Sequence, residues 1–220
     1  MPQPSPRNLN LWKRGLGRVP DSVWSQTELE TLVLADNRLT EIPERIGELK
    51  NLRMLDLGHN ALGTVPEAVG ELRGLTDFLY LHDNRLTTLP GSLGRLTKLR
   101  YLNISENAFS EVPEAITLMT GLIELRISDN QITLLRSGIG KLPLLRELHL
   151  RNNKLTWLPE SVGELRELRQ LDLRGNPLES LPETLAGLPR LEKLDLRWVD
   201  SLEPPQWLAG LEARGCVVYR

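Results

Sequence analysis

The feature that most constrains this sequence is an asparagine that recurs at an almost fixed interval along the chain. The spacing between neighbouring copies is 23 residues at every step except one, which is 24 residues. Around each copy the chain reads L-x-x-L-x-L-x-x-N-x-L-x-x-L-P-x-x-I-G-x-L, with small apolar variations. The recurring asparagines are Asn37, Asn60, Asn84, Asn107, Asn130, Asn153 and Asn176. Such a repeat predicts a stack of similar supersecondary units.

Each part of the repeat has a physical role. The L-x-L segment alternates with period two, which predicts a short strand whose two leucines point inward. One unit cannot bury those leucines alone, so stacked units share one core and one parallel sheet. The asparagine amide has two donor hydrogens and an acceptor oxygen, so it can pair backbone groups in the turn and form a ladder. The proline-containing half predicts a short helical or 3₁₀ turn. The predicted fold is a curved α/β solenoid, with the parallel sheet on its concave face and the turns on its convex face.

The repeat resembles the typical 23-residue class of leucine-rich repeats. Its L-P-x-x-I-G-x-L half is similar to that of intracellular Ras-group and Scribble-type repeat proteins. The resemblance covers residues 9–196. It implies a scaffold that binds a protein or peptide partner, because members of this family share a binding surface and not a reaction. We therefore expect no enzymatic activity.

The repeats organise the chain as a single domain. We assign residues 1–28 to an N-terminal capping unit, residues 29–198 to the repeats and residues 199–220 to a C-terminal cap. In that cap a helix should follow the proline pair at 204–205, and residues 217–219 should form a final strand. One extra residue within 76–78 predicts a bulge before the strand that follows it. Arg136 replaces a repeat proline and Thr117 a repeat glycine, which we interpret as local drift on the turn side.

Composition limits the partners and the compartment. The formal net charge is −2, so we expect no general attraction to nucleic acid or to an anionic membrane. The single cysteine, Cys216, excludes an intramolecular disulfide and fits a reducing compartment. The first ten residues are polar and contain no apolar stretch, which predicts a cytoplasmic protein if this is the natural start. Arginine outnumbers lysine, which suggests a bacterial origin. We expect a monomer.

The solvent-facing strand positions form three rows across the predicted concave face. Four of the aromatic residues, Trp12, Phe78, Tyr80 and Tyr101, fall in these rows, and the three histidines lie on the same side. Exposed aromatic and arginine side chains dominate binding hot spots, so we predict a partner-binding surface here. The candidate partner-binding residues are Met54, Asp56, Phe78, Tyr80, His82, Tyr101, Asn103, Arg126, His149, Arg151 and Arg174.

Two subsites follow from these rows, each with an alternative. The first is centred on Phe78, Tyr80 and Tyr101, where small residues beside His82 are expected to leave an anchor pocket; the alternative is aromatic packing that only stabilises the sheet. The second is a row of basic side chains interleaved with the carboxylates of Asp172, Asp195 and Glu147, and it consists of Arg126, His149, Arg151, Arg174 and Arg197. It is either a ladder of cross-strand ion pairs or a recognition site for an acidic or phosphorylated segment.

Motifs that carry catalysis or bind cofactors do not appear in the sequence. It has no Gly-rich phosphate loop, no paired cysteine motif and no H-E-x-x-H, so we predict no cofactor and no metal. Two alternatives to a binding scaffold stay open. One is a metal- or substrate-binding enzyme site that uses His59, His82 and Asp83. The other is that the repeats are the recognition domain of a larger effector enzyme, such as a ubiquitin ligase or a kinase.

Overall fold

The fold is one parallel sheet in which the order of the strands is their order along the chain. The computed structural model describes residues 7–220, so residues 1–6 of the predicted N-terminal cap lie outside the described residues. The strands are β1 (Asn8–Asn10), β2 (Thr31–Val33), β3 (Met54–Asp56), β4 (Phe78–Tyr80), β5 (Tyr101–Asn103), β6 (Glu124–Arg126), β7 (Glu147–His149), β8 (Gln170–Asp172), β9 (Lys193–Asp195) and β10 (Val217–Tyr219). The predicted solenoid with a parallel sheet is confirmed.

Short 3₁₀ turns connect consecutive strands up to β9, and helix α1 (Leu208–Ala213) connects β9 to β10. The turns are Asp21–Val23, Glu44–Glu48, Glu67–Glu71, Gly91–Arg95, Glu114–Leu118, Ser137–Lys141, Glu160–Glu164 and Glu183–Gly187. A proline with extended backbone precedes all of them except Ser137–Lys141, which Arg136 precedes. Arg136 adopts the same conformation, with φ −72° and ψ 154°, so the turn forms without the ring of proline.

The core consists of the leucines that point inward from every unit. The central residues of neighbouring strands are in register, so Leu55, Leu79 and Leu102 lie side by side and are fully buried. Burial of such a side chain contributes about 1.5–3 kcal/mol to folding. Because each leucine is covered by the units on both sides, the stability of one unit depends on its neighbours.

The recurring asparagines pair the backbone where each strand ends. Asn107 Nδ2 donates to the carbonyls of Leu81, Ile104 and Ser105 at 3.0–3.2 Å, and its Oδ1 accepts from the Leu86 amide at 2.9 Å. The residue before the asparagine has a positive φ in most units, which turns the chain away from the strand. His59 is one of these residues, with φ 51°, so the same turn fixes the position of its side chain.

The extra residue lies immediately before β4. In other units one backbone carbonyl accepts from two successive backbone amides. The carbonyl of Arg100, for example, accepts from the amides of Ile123 and Glu124. Between β4 and β5 the two amides donate to different carbonyls. The amide of Arg100 donates to the carbonyl of Thr76, and the amide of Tyr101 donates to the carbonyl of Asp77. The predicted bulge is therefore present, and the strands on either side of it keep their register.

The C-terminal segment closes the last repeat. Leu208 and Leu211 of α1 are buried, Gly215 has φ +93° after the helix, and β10 pairs in parallel with β9. Cys216 is buried beside them, and this burial raises the pKa of its thiol. A thiol with a raised pKa is a weak nucleophile, which fits a packing role for Cys216.

Candidate functional site

The predicted partner-binding residues lie on the side of the sheet opposite the buried leucines, which we call the strand face. The sheet places them in three rows because successive residues of a strand point to opposite sides. Phe78 and Arg126 are exposed, and the other nine are half-buried. The strand face therefore offers side chains that are held in place by their neighbours and still reach solvent.

Three aromatic residues from two adjacent strands, Phe78, Tyr80 and Tyr101, form what we call the aromatic cluster. The rings of Phe78 and Tyr80 stack with an interplanar angle of 12° and a centroid distance of 5.9 Å. Tyr101 lies 5.5 Å from Phe78 and 5.0 Å from Tyr80, measured between centroids. Such pairs contribute about 0.5–1.5 kcal/mol beyond the area they bury. The rings support each other, yet Phe78 keeps 42% of its surface exposed.

The tyrosine hydroxyls of the cluster are neutral at physiological pH. Burial raises the pKa of Tyr101 to about 12, and it also raises the pKa of Tyr80. Each hydroxyl can therefore donate a hydrogen bond to an incoming group. The cluster combines an apolar surface with polar tips, which suits a partner side chain or a peptide backbone.

A hollow of about 440 Å³ lies beside the aromatic cluster, at the N-terminal ends of the strands. It is lined by Arg53, Asp77, Phe78, Arg100, Tyr101, Ile123 and Glu124. Arg53 holds the Asp77 carboxylate at 3.1 and 3.3 Å, and this hydrogen bonding lowers the pKa of Asp77. Sequence reasoning missed Arg53, Asp77 and Arg100, because the rows were taken to begin at the first residue of each strand. Each of these three residues immediately precedes the first residue of a strand, so a fourth row at that position would have included them.

Two histidines adjoin the cluster and form a chain of polar contacts with Asp83. His59 Nδ1 lies 2.6 Å from Asp83 Oδ2, and the Nε2 atoms of His59 and His82 are 3.2 Å apart. When both imidazoles are neutral and His59 Nδ1 carries the proton that faces Asp83, His59 Nε2 can accept from His82 Nε2–H. His82 Nδ1 is then buried without a hydrogen-bond partner.

The predicted anchor pocket beside His82 is wrong, because the histidine itself occupies the space. A Cβ placed on Gly58 would lie 2.4 Å from His82 Cε1, so the imidazole rests directly on the glycine. Ala35 and Ser105, the other small neighbours, are buried. The hollow of about 440 Å³ lies at the opposite end of the aromatic cluster, next to Phe78 and Tyr101, and a second hollow is lined by His59 and Asp83 but not by His82.

The position of His82 predicts a pH-dependent stability. Burial, and then the charge of His59, lower the pKa of His82 below its ordinary value of 6.5. The unfolded chain therefore binds this proton more readily, and His82 should destabilise the fold as pH falls below about 6.5. Urea unfolding at pH 7.5 and 5.5 should show a smaller loss of stability in His82→Asn than in the wild type. Equal losses in the two proteins would contradict this assignment.

The arginines of the second subsite are paired with carboxylates. Arg174 contacts both oxygens of Asp172 at 2.6 and 2.8 Å, and Arg197 contacts both oxygens of Asp195 at 2.7 and 2.9 Å. Arg174 also lies 3.5 Å from Asp195. Each of these arginines lies two residues after its bidentate partner, just beyond the end of the strand, whereas the ladder alternative expected cross-strand pairs. Asp172 and Asp195 are buried beneath the guanidinium groups.

The pairing of the arginines favours the ion-pair alternative for the second subsite. Arg151 is bound by Asp129 at 2.9 Å, and Arg126 is bound by Glu124 while it lies 5.9 Å from the ring centre of Tyr101. An acidic partner would have to compete with these carboxylates for each guanidinium. The arginine row is thus less suited to bind phosphate than an unpaired row would be.

A further group on the strand face was not recognised as a unit from the sequence. Glu124, Glu147 and His149 place one ligand atom each within 4.8 Å of one another. The signal that would have found them is Glu-x-His on one strand, next to a glutamate at the same row of the preceding strand. Among residues 7–220 no third side chain joins His59 and His82 in such a group.

Comparisons with known proteins agree with this architecture. The family model described as a leucine-rich repeat region matches residues 17–126, and the model described as leucine rich repeat matches residues 120–178 and 143–199. A search of curated proteins by sequence finds no match. Within residues 7–220 no helix is both long and apolar enough to cross a membrane.

Several solved structures are similar to this chain. A leucine-rich repeat protein of Leptospira interrogans is 26% identical, with a TM-score of 0.74 over 94% of this chain and 64% of its own. The ectodomain of the Arabidopsis thaliana receptor kinase GASSHO1/SCHENGEN3, in complex with CASPARIAN STRIP INTEGRITY FACTOR 2, is 32% identical, with a TM-score of 0.75 over 87% of this chain. The plant peptide hormone receptor RGFR1, in complex with RGF2, is 34% identical, with a TM-score of 0.71 over 82% of this chain.

This chain is shorter than these three proteins. It spans 64% of the Leptospira protein, 24% of the GASSHO1/SCHENGEN3 chain and 30% of the RGFR1 chain. The likeness to them concerns the repeats, which extend through the matched residues from 17 to 199. From the asparagine-centred repeat, the ten-stranded parallel sheet and the family matches together, the chain belongs to the leucine-rich repeat proteins.

Proposed function

We propose that this chain is a protein-interaction scaffold that holds a protein or peptide partner against its strand face. The observation that carries the proposal is the aromatic cluster of Phe78, Tyr80 and Tyr101, which stands on an open sheet with a hollow beside it. Aromatic side chains of this kind contribute most of the binding energy in many interfaces. No part of the proposal requires a reaction.

The rigidity of the sheet supports this function. Each strand is paired on both sides from β2 to β9, so the backbone beneath the cluster is held by hydrogen bonds to its neighbours. Side chains that are already ordered lose little conformational entropy when a partner binds. The hollow next to Phe78 and Tyr101 gives room for one side chain of the partner, with Arg100 and Glu124 at its border.

Similar proteins support the class of partner. The structures of GASSHO1/SCHENGEN3 and RGFR1 were solved in complex with CASPARIAN STRIP INTEGRITY FACTOR 2 and RGF2, respectively, and RGFR1 is a peptide hormone receptor. By analogy we propose a protein or peptide ligand for this chain, and the aromatic cluster gives it a place to bind. The analogy extends to the class of ligand and not to its identity.

A pull-down with the double variant Tyr80→Ala/Tyr101→Ala tests the proposal. Loss of two hot-spot rings should weaken capture of the natural partner from a lysate of the source organism at least tenfold, since each such ring contributes about 1 kcal/mol or more. The matched control is Leu144→Ala/Trp157→Ala, which removes two exposed apolar side chains outside the strand face and should leave capture unchanged. Circular dichroism should show that both variants are folded. Undiminished capture by the tyrosine variant would overturn the proposed site.

A second candidate function is recognition within a longer enzyme. It is favoured by the likeness to GASSHO1/SCHENGEN3, a membrane receptor kinase in which the leucine-rich repeats form the ectodomain. The genomic sequence on both sides of the region that encodes this chain would distinguish a separate scaffold from a fusion. An open reading frame that continues into a ligase or kinase domain would support fusion. A cytoplasmic location, a bacterial source, a monomeric state and the lack of nucleic-acid or membrane partners stay predictions.

A further inference from the structure

Strands β6 and β7 bring two carboxylates and one imidazole together on the strand face. Glu147 and His149 are two residues apart on β7, so their side chains point to the same side of the sheet. Glu124 of β6 is in register with Glu147. His149 Nε2 lies 3.2 Å from Glu147 Oε2 and 3.8 Å from Glu124 Oε1.

These distances match what one metal ion requires of its ligands. Zn²⁺ binds imidazole nitrogen and carboxylate oxygen at about 2.0–2.2 Å, which places the ligand atoms of one tetrahedral ion roughly 3.3–3.6 Å apart. The three atoms already lie within 4.8 Å of one another, so small rotamer adjustments bring them to that spacing. The side chains are between 18% and 33% exposed, which leaves an open side towards solvent.

The charges around the group also favour a cation. Glu124 and Glu147 are like charges that face each other across two strands, an arrangement that destabilises a sheet unless a positive charge lies between them. Arg126 forms a direct ion pair with Glu124 and interacts with Glu147 through its charge at longer range, and its guanidinium lies 5.9 Å from the ring centre of Tyr101. His149 Nε2 faces both carboxylates, so a metal ion bound to this nitrogen would lie between the two glutamates.

We propose that Glu124, Glu147 and His149 form a binding site for a divalent transition metal ion of the Zn²⁺ class. Three protein ligands leave one coordination position for water or for a ligand from another molecule. The proposed metal ligands lie in β6 and β7 and the aromatic cluster lies in β4 and β5, so the two sites use different strands, although Glu124 also borders the hollow beside the cluster. The His59 and His82 pair offers two nitrogens 3.2 Å apart and no third converging ligand in residues 7–220.

Titration of the tag-free protein with Zn²⁺, followed by calorimetry at pH 7.5, tests the proposal. We expect one saturable site in the wild type, binding at least tenfold weaker in His149→Ala and in Glu147→Gln, and unchanged binding in the matched control His59→Ala. Arg126→Ala should bind Zn²⁺ more tightly, because it frees Glu124 from its guanidinium. Circular dichroism and the urea midpoint should show that each variant keeps its fold.

Three results would overturn the metal site. The first is the absence of saturable Zn²⁺ binding by the wild type. The second is unchanged binding in His149→Ala. The third is a loss of binding in His59→Ala, which would assign the metal to the other histidines. Zn²⁺ binding should persist in Tyr80→Ala/Tyr101→Ala, so failure of the metal site and failure of the partner site give different results. Addition of Co²⁺ should produce the visible absorption of a low-coordinate ion in the wild type and not in His149→Ala.

Discussion

Replacement of Asn130 by leucine should lower the free energy of unfolding by about 3 kcal/mol. The Asn130 side chain is 3% exposed. Its Nδ2 donates to the carbonyls of Ile104, Ile127 and Ser128 at 3.1–3.3 Å. Its Oδ1 accepts from the Phe109 amide at 3.1 Å. Leucine has a similar size but no polar atom, so several buried backbone groups of two repeats would lose their partners. Each unsatisfied group costs about 1–3 kcal/mol.

Urea unfolding followed by circular dichroism measures this effect. The matched control is Asn51→Leu, because Asn51 is exposed and makes one side-chain bond, to the Thr27 carbonyl at 2.9 Å. The control should change stability by no more than about 0.5 kcal/mol. An Asn130→Leu protein that unfolds at the same urea concentration as the control would mean that the asparagine ladder does not stabilise the turns.

The fold could be predicted from the sequence because the same physical requirement recurs in every unit. An inward leucine such as Leu79 can be buried only by equivalent leucines above and below it, so the phase of the repeat determines which residues pair. The insertion near Asp77 was found for the same reason, since one additional residue shifts the next asparagine by one position. The backbone then absorbs this residue before β4, where no strand pairing is lost.

The orientation of individual side chains could not be predicted in the same way. The rows place Gly58 beside His82, and a small residue beside a large one was interpreted as a pocket. Whether the large ring moves over the small residue depends on contacts between neighbouring units, and here the polar contact with His59 holds His82 above Gly58. The repeat pattern contains no information on the His82 rotamer, because the pattern specifies the buried positions and allows any residue at the solvent-facing ones.

Charged residues of the strand face show the same limit. Asp172 and Asp195 each stand between two inward leucines, a position that was expected to reach solvent. They are buried because Arg174 and Arg197, two residues further along the chain, fold back over them. A bidentate arginine–carboxylate pair gives both carboxylate oxygens a donor from one edge of the guanidinium, which offsets the cost of burying the charge. The sequence shows that opposite charges are close, and the structure shows that the bidentate pairs form within one repeat unit.

Replacement of Phe109 by alanine should have the largest effect of any change considered, about 3–5 kcal/mol of lost stability. Phe109 is fully buried and occupies the position that leucine or isoleucine takes in the neighbouring units, at Leu86 and Ile132. Alanine would leave a cavity in the middle of the stack. The control is Phe109→Leu, which restores the residue type of Leu86 and should cost about 1 kcal/mol.

The shape of the unfolding transition should report the location of the Phe109 cavity. In a solenoid each unit is stabilised by the interfaces with its two neighbours, so a defect between the units of β5 and β6 weakens the link between the two halves of the stack. We therefore expect Phe109→Ala to unfold with a lower urea midpoint and a broader transition, and Phe109→Leu to keep the steep transition of the wild type. If both variants unfold at the same urea concentration and with the same steepness, the neighbouring leucines have closed the cavity, and the core at this unit is softer than its burial implies.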